Sequence, residues 1–149
     1  MKEKVLRSVA LIVFAMFAVA PCFAHHMAVV VSKQNKTETV SSVQLSKIFR
    51  AETRKWPDGT DIRLVLHRSS MGEAVTLGRL NKMSTQQWQK WVSGHRDSIE
   101  LVDSDKDVLK YVESTPAAIG LVDVRSLTGG VNVVRVDGKV PMEDGYLPH

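Results

Sequence analysis

Cysteine is nearly absent from this chain. The single one, Cys22, lies in an N-terminal apolar stretch. If that stretch is removed, no thiol nucleophile and no disulfide framework remain, and the domain must rely on its core. No second long apolar run follows, so nothing beyond residue 24 reads as membrane-spanning. There is no internal repeat and no low-complexity linker. A large charge excess is missing too. The chain holds 20 basic and 16 acidic residues, of which 3 and 1 precede residue 25, leaving 17 and 15 and a net charge of +2. That balance argues against nucleic-acid binding, whatever the basic pI of the whole chain.

The N-terminus carries Lys2, Lys4 and Arg7, then an apolar segment over residues 9–20, then Cys22-Phe23-Ala24. A basic start, a short apolar middle and small residues at −3 and −1 define a secretory signal peptide over residues 1–24, cut after Ala24. The alternative is a lipoprotein acylated at Cys22, which Pro21 fits poorly. The mature chain, 25–149, is then 125 residues. That is one ordinary domain, large enough to bury a core.

Strand and helix signals alternate along it. Residues 27–31 form an apolar run read as a buried strand, and 32–38 a polar loop. Ser41-x-x-Gln44, Ser70-x-x-Glu73, Ser84-x-x-Gln87 and Ser104-x-x-Asp107 each precede an apolar periodicity of helical spacing, and the first three match a capping box. The second helix is expected to run from Ser70 to about Met83. Strands are expected over 62–66, 99–102, 118–122 and 131–136, with a turn at Trp56-Pro57-Asp58-Gly59. This pattern predicts an α/β domain with a largely parallel, twisted sheet flanked by helices.

The junction over residues 62–74 concentrates the chemistry. An apolar strand ends at His67-Arg68-Ser69-Ser70, and a helix begins at once. A guanidinium, two hydroxyls and the unpaired N–H groups of a helix N-terminus suit an oxyanion. Arg68 can grip phosphate or carboxylate with two parallel bonds. The expected ligand contacts are Arg68, Ser69, Ser70, Gly72 and Glu73. Glu73 is the awkward member. As the third residue of a capping box it would return a hydrogen bond to the Ser70 N–H. Alternatively it pairs with Arg68 or blocks an anion.

Other candidates carry less. His25-His26-Met27 could offer nitrogen and thioether to copper, but reads more simply as a frayed terminus. His67, His95 and His149 lack metal-ligand spacing, so no metal site and no cofactor is expected. Ser69 and Ser70 lie near His67, yet neighbours on a strand face opposite ways, so they are not read as a triad. Asp103, Asp105 and Asp107 alternate without the glycine and glutamate of an EF-hand, and read as a solvated helix start. Trp56, Trp88 and Trp91 are read as core or groove-lining residues. No catalytic constellation emerges, so the chain is not read as an enzyme.

Leu45-x-x-Ile48-Phe49, Trp56-x-Asp58-Gly59, the strand ending His67-Arg68-Ser69, Trp88, and Ala117-Ala118-Ile119-Gly120-Leu121-Val122 occur in that order. Together they resemble the phosphate-binding (PstS-like) periplasmic substrate-binding proteins of ABC transporters. The likeness spans residues 29–122. It implies one lobe of a type II periplasmic-binding-protein fold, resembling the second of the two lobes such proteins have. The family's phosphate loop reads Arg-Ser-Asp-Gly-Ser-Gly-Thr. Arg68 and Ser69 match it. Ser70 stands at the Asp, Met71 at the first Gly, Gly72 at the Ser, Glu73 at the second Gly and Ala74 at the Thr. Ala117 and Leu121 replace a Gly and a Tyr further on. Only Arg68 carries over cleanly as a phosphate contact. The resemblance implies a secreted, periplasmic solute binder for phosphate or a similar oxyanion. The alternative is a ligand-free interaction module that contacts a membrane sensor, a transporter or a second copy of itself.

Overall fold

The computed structural model describes residues 26–148. The proposed signal peptide, His25 and His149 lie outside the described residues. The strands are β1 (Met27–Ser32), β2 (Thr39–Val40), β3 (Arg63–His67), β4 (Ile99–Val102), β5 (Ala118–Asp123), β6 (Val131–Val133) and β7 (Arg135–Val136). The helices are α1 (Ser42–Phe49), α2 (Met71–Leu80), α3 (Thr85–Gly94) and α4 (Asp105–Ser114). Five strands form one sheet in the order β4-β3-β5-β1-β6, with β2 and β7 pairing apart. β3 runs parallel to β4 and β5, while β1 runs against both β5 and β6. Four of the five strands therefore share one direction, as the alternating pattern predicts.

Side-chain alternation splits the core into two layers. Val29, Val31, Leu64, Leu66, Ile119 and Leu121 face α1, α2 and α3. Val30, Val65, Ala118 and Val122 face Val108, Leu109 and Val112 of α4. β1 and β5 lie inside the sheet and are covered on both faces, which is why they read as unbroken apolar runs. Gly120 permits the closest approach. A Cβ there would stand 2.8 Å from Val108 and 2.9 Å from Val65, so α4 packs directly on the backbone. Met27 is buried in β1, so the chain is held from that residue onward rather than frayed.

Three details depart from the sequence reading. The second helix stops at Leu80, short of Met83, because Asn81 caps it: its Nδ2 donates to the Leu77 carbonyl and its Oδ1 accepts from Ser46 Oγ. The segment 131–136 is two strands, broken at Val134. There the buried Tyr146 hydroxyl inserts, accepting from the Val29 N–H at 3.1 Å and donating to the Val134 carbonyl at 2.6 Å. Burial pushes the Tyr146 phenol up to about 12. Among the described residues no helix is long and apolar enough to cross a membrane.

Candidate functional site

The parallel strands bring their C-terminal ends to one edge of the sheet. His67 of β3 pairs in register with Val102 of β4, and the Arg68 N–H continues the ladder to the Val102 carbonyl at 2.8 Å. The chain then turns, with the Ser70 N–H bonded to the His67 carbonyl at 3.1 Å. Ser70 caps α2, its hydroxyl accepting from the Glu73 N–H at 3.2 Å. The N–H groups of Met71 and Gly72 belong to a first turn, which has no intrahelical acceptors. In α/β sheets this edge is where ligands bind.

Glu73 does not close a capping box. The Ser70 N–H is taken by the His67 carbonyl, and Glu73 reaches past it so that Oε2 accepts from the His67 backbone N–H at 2.9 Å. The Ser41 and Ser84 boxes form in full, because nothing there competes for the cap N–H. Glu73 is 3% exposed, and its Oε1 has no hydrogen-bond partner. Burial raises the carboxyl well above the usual carboxylate range; the His67 N–H pulls it down and Asp105 pushes it further up. The enclosed site therefore disfavours the charged form relative to a free carboxylate. Nor does Glu73 pair with Arg68. That side chain is largely exposed and meets Asp103, with Nε 3.5 Å from Oδ1. Such an exposed pair is worth about 0–1 kcal/mol, so exchanging Asp103 for a ligand costs little.

An open cavity of about 240 Å³ lies between this junction and α3. Its lining includes the apolar Leu66, Trp88, Val92 and Leu101, the cationic Arg68 and Arg96, and Ser70, Glu73, Gln89 and Ser93. Arg68, Ser70 and Glu73 are thus brought together as expected. Ser69 and Gly72 are not part of the lining. Ser69 is exposed and turns toward the other face of the sheet, with Oγ 3.4 Å from His67 Nε2. Gly72 is buried and contributes backbone only.

His67 and Asp105 form a second polar group, which the sequence reading missed. His67 Nδ1 lies 2.9 Å from Asp105 Oδ1. Asp105 Oδ2 accepts from the Asp123 N–H at 3.0 Å and from Ser126 Oγ at 2.9 Å. Asp105 is therefore a part-buried anchor tying β3, α4 and the end of β5 together, not a solvated residue. Ser69 stands two residues after His67, and strand alternation separates only adjacent residues, so it does not set these two apart. The resulting Ser69–His67–Asp105 series has the order of a hydrolytic relay. Its Ser–His contact is at the long limit for a hydrogen bond, and Asp105 is committed to the fold. The signal available in the sequence was Ser104-Asp105 immediately after a strand parallel to β3, which fixes Asp105 at the same sheet edge. Trp88, read as a core or groove-lining residue, lines the cavity, while Arg96 and Val92 carry no local motif that announces which helix faces the junction. Among the described residues no group of histidine, cysteine, aspartate and glutamate is arranged to hold a metal.

The fold is similar to that of several solved phosphate-transport receptors and substrate-binding proteins. An ABC-type phosphate transport receptor from Vibrio cholerae superimposes with a TM-score of 0.63 at 17% identity, over 78% of this chain and 48% of that one. PstS from Borrelia burgdorferi gives 0.63 at 19% identity, over 78% and 49%. A phosphate ABC transporter substrate-binding protein with bound phosphate, from Clostridium perfringens, gives 0.63 at 19%, over 76% and 46%. The chain spans about half the length of these structures. No family model and no curated protein matches it.

Proposed function

We propose that the chain is a secreted, periplasmic solute-binding lobe that holds phosphate or a similar small oxyanion at the junction 68–74. One observation carries this reading: Arg68, Arg96 and the cap of α2 share a single cavity at the C-terminal edge of the sheet. Arg68 supplies charge and Ser70 its cap geometry, and the backbone N–H of Gly72, behind the lining, adds to the positive end of α2. Burial of Glu73, which disfavours its charged form, lessens its repulsion of the anion. Ser69 is proposed only as a neighbour that positions His67. The segment 1–24 serves as the export signal, and sequencing the N-terminus of the secreted protein tests it, with His25 expected first. A membrane transporter or sensor protein is the natural partner for such a lobe.

A second reading is favoured by Met71, 60% exposed at the same edge beside Arg68. In that reading the edge contacts a membrane sensor, a transporter or a second copy, and no anion binds. Calorimetry with phosphate and sulfate separates the two. The solute-binding reading expects heat that weakens on Arg68→Ala. The interaction reading expects none from either protein.

A further inference from the structure

We propose that the cavity beside Glu73 takes a small organic acid, with the acid group toward Arg68 and Arg96 and an apolar body against Trp88 and Val92. The inference rests on the anion site proposed above and names the class of ligand for it.

The cavity lining is of two kinds. Arg68, after β3, and Arg96, after α3, bring positive charge to it. Leu66, Trp88, Val92 and Leu101 bring apolar surface. A tetrahedral inorganic anion seeks donors on every side, and the apolar part of this lining offers it none. The space is also generous. A cavity of about 150 Å³ accommodates benzene, and this one is about 240 Å³. An acid with a ring or a chain of several carbons fills it and removes apolar surface from water on both partners.

Glu73 supplies an independent observation. It is 97% buried, lines the cavity, and its Oε1 lacks a partner in the protein. A buried polar atom of this kind is costly unless something satisfies it. A neutral Glu73 can donate a hydrogen bond to a carboxylate, as an ionised one cannot. The charged and titratable groups around it are His67 at the end of β3 and Arg68 just after it, Asp103 before α4 and Asp105 at its start, and Arg96 after α3.

Titration calorimetry of the protein with benzoate, hexanoate, acetate, phosphate, sulfate and benzyl alcohol tests the proposal. Benzoate or hexanoate is expected to bind roughly tenfold or more tighter than acetate or phosphate, since burying a ring or chain adds that much affinity. Val92→Ser should narrow that gap, and Arg96→Ala should weaken every acid. Benzyl alcohol, with the ring but no charge, should bind worst of the ring compounds. If phosphate or sulfate binds as tightly as benzoate, the organic-acid proposal falls and the oxyanion site stands. If benzyl alcohol matches benzoate and Arg96→Ala changes nothing, the binding is apolar adsorption and the proposal falls. If no anion binds at all, both fall.

Discussion

Two carboxylates decide most of the chemistry at the sheet edge, and their hydrogen-bonding surroundings differ. Asp105 is met by His67, the Asp123 N–H and Ser126. Glu73 receives one N–H and is otherwise enclosed. Its carboxyl is raised in the folded state relative to the unfolded chain. The stability it contributes is therefore complete below the unfolded value, about pH 4.3, and is lost as pH rises toward the folded value. Each pH unit in that window costs about 1.4 kcal/mol. Glu73→Gln should flatten this dependence, with thermal midpoints similar near pH 4 and higher than wild type near pH 8. A wild-type midpoint that rises steadily from pH 4 to about pH 8 would contradict the assignment. Asp105→Ala is expected to cost roughly 2–4 kcal/mol, because it strands buried donors from three segments; denaturant unfolding measures it. Neither role is legible from local sequence. Glu73 sits at a capping-box position and was assigned the cap N–H, but His67 had already turned its carbonyl onto that group.

At the scale of elements, caps were readable and long-range splices were not. Ser41, Ser70, Ser84 and Ser104 each accept the N–H three residues on, as their motifs predict. Ser70→Ala should cost on the order of 1 kcal/mol with no ligand present, and an unchanged thermal midpoint would count against the cap. The break between β6 and β7 depends on Tyr146, more than ten residues away, and the end of α2 depends on Ser46 of α1. Such partners leave no mark on a residue's own neighbourhood. Tyr146→Phe keeps the ring but leaves the Val29 N–H and the Val134 carbonyl without their bridge. It is expected to destabilise by about 1–3 kcal/mol, read from chemical unfolding.

At the scale of the molecule, the alternation of strands and helices carried the fold, because each covered strand was apolar throughout and each helix had a cap. The same logic put β3 and α2 at the ligand edge. It did not say which helix would wall the cavity, since α3 reaches the junction by folding back on α2, and no local motif gives that packing. The account's central claim is that this edge binds an anion through Arg68. The most direct measurement is calorimetry with phosphate and sulfate on the wild type, Arg68→Ala and Glu73→Gln. Loss of the Arg68 contact should lower affinity about tenfold to a hundredfold, and Glu73→Gln should match wild type at low pH and bind more tightly at high pH. Absence of heat from both the wild type and Glu73→Gln at millimolar anion would contradict the claim and leave only the shared fold.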